Sequence, residues 1–480
     1  MKKTKIIGTI GPSSESDENL IALYERGLNV IRINFSHAKH DHTREIIDRV
    51  KKLNASGKTE YSFLLDTKGP EIRTGDVPEK IPFQKGEEFI IYTTELPPVE
   101  GKKSLFCDYV LLAEDVKAGW VIEIDSGLFH VRVVSTHTGY IVVRAENDAL
   151  IGSRRHINLP WVSLRLPGMT DKDRSDILLG IELWFHFIAA SFIRTAQNVR
   201  DVRSFLDEHG WSAIRIICKI ENEEGMLNLE EITDVSDGIM VARGDLGIEM
   251  PIAKIPLYQA QIVELCRKKG KIVVVATQMI ESMMEYPYPT RAEVGDIFNA
   301  IRQGTDATML SGETAMGKYP LEAVAMMTRV IEEAESVTKW ENESYSDANL
   351  SPRDIEKKAL IRSAISTADI LHARAVVIFT KSGLLARLAA AFRPSVPVFA
   401  FTWEESSKWF MNILYGIQPV VLTGWDGNYE SNLLWALEWL QEKQWFTLTD
   451  KVVVITDLQR EKREIPVMEI ISLADILKVS

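Results

Sequence analysis

Cysteine is scarce: Cys107, Cys218 and Cys266 lie far apart with no CxxC pair, which argues against a disulfide framework and a cysteine zinc site. No run of about 18 apolar residues occurs, so no membrane-spanning helix is expected. The basic start, MKKTKIIGTIGPSS, lacks the apolar core of a signal peptide. Positive charge is also in deficit. With 56 Lys and Arg against 68 Asp and Glu, the net charge of −12 argues against a sequence-wide nucleic-acid surface, and any anion site must be built locally. Low-complexity tracts are missing, as are repeats beyond a strand–helix alternation. The expectation is a soluble, cytoplasmic protein with no nucleic-acid or membrane partner.

What the chain does have is core material. Hydrophobic residues make up 45% and charged residues 26%, which are globular proportions. At 480 residues the chain exceeds one ordinary core, so roughly two to four domains are expected. Eight short apolar segments alternate with helical patterns: KIIGTI, VIRINF, SFLLDT, FIAASF, IRIICKI, GIMVAR, IVVVATQ and ATMLSG. That is the strand number of a closed (β/α)8 TIM barrel. Ser16 suits the cap of a helix running to Gly27, Thr195 one running to Gly210, and Pro320 the first turn of a third.

One connection is too long. After LLDT the next helix pattern, TDKDRSDILLGIEL, arrives about 100 residues later, far beyond an ordinary βα loop. The intervening EFIIYTT, WVIEIDSG, LFHVRVVST and YIVVRAEN read as short strands, with Pro70 before them and Pro160 and Pro167 after. The expected organisation is therefore barrel over 1–69, an inserted β-barrel-like lid over 70–167, and barrel again over 168–340. An open-sheet α/β domain, with a regulatory role in view, follows over 353–480. An insert in a βα loop projects from the C-terminal mouth of the barrel, where active sites of this fold lie.

The strand ends are unexpectedly polar. RINFS would place Arg32, Asn34 and Ser36 on one face if it stays extended. LLDT delivers Asp66 and Thr67, and KIEN delivers Lys219 and Glu221 on one face. VARGDLG supplies Gly244 and Asp245; the last two strands end at Thr277 with Gln278, and at Ser311, Gly312 and Glu313. Each feature alone has a plain structural reading: an ion pair at Lys219 and Glu221, a turn at RGDLG, a helix cap at SGET. Six strands ending this way at one rim favour a site.

The residue types indicate its chemistry. Glu221 and Asp245 are hard oxygen donors suited to Mg2+. Lys219 places a point charge beside them, suited to a phosphoryl group in transfer. Arg32 and Arg73 add forked donors for phosphate oxygens. Asn34, Ser36, Asp66 and Thr67 offer only oxygens, a set suited to a second hard cation. Gly244 lets a small ligand approach the backbone, and the N–H groups beyond it suit a carboxylate.

These motifs resemble those of the pyruvate kinase family. TKIIGTIGPSS, RINFSH, LLDTKGPEIRTG, FIAASFIR, KIEN, DGIMVARGDLGIE, ATQMIESM, PTRAEVGDIFNAI and LSGETAMGKYPLEAV follow in the family's order. The resemblance implies phosphoryl transfer from phosphoenolpyruvate to ADP, giving pyruvate and ATP in glycolysis, usually in a homotetramer. It implies Mg2+ (or Mn2+) at Glu221 and Asp245, and K+ at Asn34, Ser36, Asp66 and Thr67. Lys219 and Arg32 would act on the phosphoryl group. Gly244, Asp245 and Thr277 would hold the substrate carboxylate region, with Thr277 and Ser311 as candidates for relaying a proton to the enolate. Asn34, Ser36, His37, Arg73 and one of Arg154 or Arg155 would face the nucleotide, Arg155 being the residue assigned. Glu71 in GPEIRTG, together with Thr67, resembles the K+-dependent members.

Some positions depart from the family pattern. Ser126 stands where many members have a second lid aspartate, and Trp161, Trp184 and His186 where smaller or acidic residues are usual. The two tryptophans read as packing or interface groups. Thr380, Lys381, Ser382 and Gly383 form either a phosphate loop for a phosphorylated effector or a plain turn with a helix cap. Two other functions stay open at this level: a phosphoenolpyruvate sensor without turnover, and a Mg2+-dependent aldolase or lyase.

Overall fold

The computed structural model describes residues 2–95, 101–160, 162, 164–340, 345–347, 350–425, 427–460 and 463–476. Trp161 lies outside these residues. Eight parallel strands close on themselves: Lys5–Thr9, Val30–Asn34, Ser62–Asp66, Phe187–Ala190, Arg215–Ile220, Gly238–Ala242, Ile272–Ala276 and Ala307–Leu310. Each pairs with its sequence neighbour in the barrel, and the eighth returns to the first through Lys5 opposite Ala307. All eight expected strands are present. They read as mainly apolar runs because a parallel barrel buries both faces of every strand.

Alternation along the strands sorts two cores. Ile6, Ile31, Ile33, Ile216 and Cys218 face outward against the helices. Ile7, Val30, Leu64, Ile217, Met240 and Val274 share the other face, inside the barrel. A period of two then carries the inner rows from Val30 to Arg32, from Leu64 to Asp66 and from Ile217 to Lys219. Polar side chains at the mouth are thus continuations of the apolar rows that fill the barrel.

The helix ends follow their side chains. Ser16 Oγ accepts from the Asn19 N–H, and Thr170, Thr195 and Thr290 each complete a capping box with the residue three positions on. Pro320 occupies the first turn of Pro320–Val337. RGDLG differs from its turn reading: it opens the helix Arg243–Glu249. SGET also differs, since Ser311 makes no side-chain cap; the Glu313 carboxylate accepts from the Ser311 and Ile280 N–H groups instead.

The insert folds around its own core. A six-stranded sheet and a two-stranded sheet enclose Phe83, Phe89, Phe129 and surrounding aliphatics. It leans on the barrel mouth, where Asn158 Nδ2 donates to Glu249 Oε1 at 3.2 Å. Ser126 sits exposed in the turn Asp125–Ser126–Gly127, whose three residues all have positive φ.

The C-terminal sheet contains the four expected strands, Ala375–Phe379, Val398–Thr402, Ile417–Val421 and Lys451–Arg460, all parallel. A fifth strand, Arg463–Ser472, folds back antiparallel on the fourth as a hairpin. Sequence reading missed it because its charged start and broken alternation hide the period. No helix among the described residues is long and apolar enough to cross a membrane.

Candidate active site

The inner rows end in a linked set of charges. Arg32, buried on the second strand, donates through Nε to Asp66 Oδ2 at 2.7 Å and through a terminal nitrogen to Thr9 Oγ1 at 2.7 Å. Asp66 ends the third strand, opposite Asn34 in register, and is 1% exposed. Burial alone would raise its carboxyl, but Arg32 and Lys219 outweigh it and hold the group below the usual range.

Lys219 Nζ lies 3.1 Å from Asp66 Oδ1, 2.8 Å from Ser191 Oγ and 3.0 Å from Glu221 Oε1. Burial acts to discharge this lysine. The carboxylates of Asp66, Glu221 and Asp245 overcome burial and push its proton affinity above normal. It is a fixed cation.

Glu221 is as deeply buried as Asp66. Its Oε2 accepts from the Phe192 N–H at 2.5 Å, while Oε1 has the Lys219 charge beside it without an aligned hydrogen bond. Burial lifts this carboxyl, Lys219 draws it back, and Asp245 lifts it further. A buried, incompletely satisfied carboxylate oxygen next to a second carboxylate fits a hard divalent cation, which would satisfy the oxygen and relieve the repulsion. The oxygen-only set of Asn34, Ser36, Asp66 and Thr67 fits a second hard cation in the same chemical sense.

These groups open onto a cavity of about 400 Å3 lined by Arg32, Asn34, Ser36, His37, Thr67, Arg73, Lys219, Glu221 and Asp245 from the expected set. Ser36 reaches it by a different route from the one expected. The second strand stops at Asn34, and Asn34 Oδ1 accepts from the Ser36 N–H at 3.1 Å, turning the chain across the rim.

Arg155 does not reach the cavity. Arg154 has φ +56°, and this left-handed residue sends the next side chain away, so Arg155 pairs with Asp125 at 3.3 Å while exposed Arg154 faces the cavity. Of the two candidate arginines, Arg154 and not the expected Arg155 therefore lines the cavity.

Gly244, Thr277 and Ser311 lie outside that lining. The Gly244 N–H donates to Thr277 Oγ1 at 2.9 Å, which ties the start of the helix Arg243–Glu249 to the end of the seventh strand. Thr277 and Gln278 both have positive φ, +65° and +52°. For a β-branched residue this is a strained conformation. The buried Arg243 guanidinium holds it by donating to the carbonyls of both Thr277 and Gln278 and to the Asp296 carboxylate. The Ser311 hydroxyl, also buried, has no hydrogen-bond partner among the described residues.

Sequence reasoning missed Ser191 and Arg243. Ser191 Oγ accepts from Lys219 and donates to the Thr67 carbonyl at 2.6 Å. It follows the fourth strand directly, so the strand-end rule used for its neighbours could have found it. Arg243 likewise follows the sixth strand directly, but its role was hidden because two of its partners are carbonyls whose display depends on a positive φ.

A barrel mouth carrying a fixed buried cation, two metal-competent carboxylates and a ring of phosphate donors defines a phosphotransferase of the (β/α)8 class. The pyruvate kinase barrel-domain model matches residues 1–324, and the pyruvate kinase alpha/beta-domain model matches residues 358–471. A pyruvate kinase from Clostridium acetobutylicum is 42% identical over 427 residues, covering 88% of this chain and 89% of its own. One from Eimeria tenella is 38% identical, covering 96% of this chain and 87% of its own. The crystal structure of a pyruvate kinase from Cryptosporidium parvum superposes with a TM-score of 0.90 at 34% identity, over 98% of this chain and 96% of the other. The chain belongs to the pyruvate kinase family, enzymes of glycolytic phosphoryl transfer between phosphoenolpyruvate and ADP.

Proposed function

We propose that the Lys219 cluster is the catalytic centre for that transfer, with the residues at the mouth divided among four tasks. The observation that carries this reading is the Lys219 ammonium fixed within about 3 Å of both Asp66 and Glu221, on the wall that also holds Asp245. Lys219 and Arg32 bind and neutralise the phosphoryl oxygens. Asn34, Ser36, His37, Arg73 and Arg154 orient the nucleotide. Gly244, Asp245 and Thr277 seat the carboxylate end of phosphoenolpyruvate. Thr277 and Ser311 pass the proton that converts the enolate to pyruvate.

Glu221 and Asp245 would hold Mg2+ (or Mn2+), and Asn34, Ser36, Asp66 and Thr67 would hold K+. When bound, the two cations supply positive charge to oxygens that become more negative as the phosphoryl group moves. Removing one ligand tests the first assignment through Mg2+ affinity. In Glu221→Gln, the Mg2+ concentration for half-maximal rate should rise by at least the roughly 10- to 100-fold that even outer-shell changes cost. An unchanged Mg2+ midpoint would exclude Glu221 as a ligand.

Arg243 acts as a positioning residue by holding the Thr277–Gln278 turn. Lysine cannot reproduce its forked contacts. For Arg243→Lys the expected result is a fall in kcat on the order of a hundredfold, as a misplaced reacting group produces, with KM for ADP unmoved. Parallel loss of ADP affinity and thermal stability would mark the residue as merely structural.

The division into barrel over 1–69 and 168–340, lid over 70–167 and C-terminal unit over 353–480 serves this chemistry, the lid excluding water over the mouth. A cytoplasmic homotetramer is the proposed assembly. In the C-terminal unit, a cavity of about 520 Å3 is lined by Thr380, Lys381, Ser382, Trp403 and Trp425. Gly383, with φ +77°, starts the helix Leu384–Ala391 beside it. A phosphorylated effector fits this combination of hydroxyls, a lysine and a helix N-terminus.

A further inference from the structure

A second cavity, of about 460 Å3, opens where the barrel meets the C-terminal unit. It lies at the start of the third strand, by Phe63, while Asp66 at the strand's other end belongs to the catalytic cluster about 10 Å away. Its walls are aromatic. His186 stacks on Phe63 at 5.2 Å and tilts toward Trp409 at 5.4 Å, while Trp184 and Trp211 meet edge to face at 5.2 Å.

Trp184 is the unusual member of this group. It follows the helix Asp171–Glu182 at the position where the Phe185 N–H closes back on the Gly180 carbonyl, a helix end that ordinarily takes glycine. Trp184 adopts φ +59° there and is nonetheless 63% exposed. Strain of this kind persists where a binding function holds it, and here it sets an exposed indole at the rim of a cavity.

Two polar groups indicate what that ligand carries. The Phe63 N–H donates to His186 Nδ1 at 2.8 Å, so the neutral ring must carry its proton on Nε2. Burial and the nearby Lys51 charge keep the ring neutral, its affinity for a second proton pushed down to about 3. No acceptor among the described residues takes the Nε2 proton. Lys51, half-buried in the same wall, has no carboxylate partner among them either. Lys408, by contrast, is paired with Glu60 at 2.9 Å, and the lining carboxylate Glu405 is exposed to solvent.

We propose that this cavity binds a small planar aromatic acid, its ring held between the His186–Trp409 and Trp184–Trp211 walls and its carboxylate received by Lys51 and His186 Nε2–H. The volume suits such a ligand, and one N–H and one ammonium with no protein acceptor match one carboxylate.

The test is calorimetric titration of the full chain with indole-3-carboxylate and with its neutral amide. The acid should bind one site per chain, and the amide at least about tenfold more weakly, since a charge-assisted contact is lost. Lys51→Gln should weaken the acid by a similar factor. Trp184→Gly should abolish binding without lowering the thermal midpoint, because glycine adopts this φ freely. No heat with the acid, equal binding of acid and amide, or full binding in either variant would overturn the proposal. So would a fall in sedimenting mass in Trp184→Gly, which would make this face a subunit contact.

Discussion

Replacing Lys219 with methionine should lower kcat for pyruvate formation about a thousandfold, the upper range for removing one preorganised charge donor from an active site. Methionine keeps the length and apolar stem but removes the ammonium that Asp66, Ser191 and Glu221 hold in place. KM for ADP should change little, since the nucleotide-side groups are untouched. The substitution also strips a partner from two buried carboxylates. A stability loss is expected, toward the low end of the about 3–5 kcal/mol typical of a broken buried pair. Asp66 retains Arg32 and Glu221 retains the Phe192 N–H, which limit the damage. Assays well below the shifted thermal midpoint separate the two effects, and Lys219→Arg, which restores charge without the same reach, should fall between. Near-normal transfer in the methionine variant would remove Lys219 from the mechanism.

Exchange of K+ for Na+ should reduce the rate on the order of a hundredfold, the scale of a lost electrostatic contact at the transition state. Glu71 sets this dependence. Its carboxylate lies 2.8 Å from Arg73 Nε and 3.1 Å from His156 Nε2. Burial would raise its carboxyl, but His156 and Arg73 dominate and bring it down to about 2. With a depressed value, the group is an anion at every pH above that range, and only a fall in pH through about 2 would discharge it. Across any ordinary assay Glu71 therefore cancels part of the Arg73 charge. On the proposed assignment the rim would then be short of positive charge for the phosphate oxygens, and a monovalent cation at Asn34, Ser36, Asp66 and Thr67 would make up the difference. Glu71→Lys should consequently run at similar rates in either salt. Equal rates of the unaltered enzyme in K+ and Na+ would end the cation assignment and leave the rest of the site intact.

The inner rows of the barrel were legible because their period of two continues unbroken into the mouth. Arg32, Asp66 and Lys219 sit where Val30, Leu64 and Ile217 point, so a strand-by-strand reading placed them together. Legibility failed where the chain leaves the strand. The second strand ends at Asn34, so Ser36 reached the rim through a turn rather than by alternation. Arg154 takes a positive φ and reverses the facing of the pair Arg154–Arg155, a reversal no spacing rule encodes. Arg243 was hidden for a related reason: it recognises carbonyls displayed by the left-handed Thr277 and Gln278, whose conformation is fixed by the fold. The fifth C-terminal strand escaped because a hairpin partner with a charged start carries little periodic signal of its own.

The most direct measurement is the yield of pyruvate and ATP from phosphoenolpyruvate and ADP with the full chain in Mg2+ and K+. Equal amounts of the two products, with none formed when ADP or the divalent cation is withheld, are the predicted result. Bound phosphoenolpyruvate with no pyruvate or ATP formed would contradict it and leave a protein that senses the metabolite without turning it over.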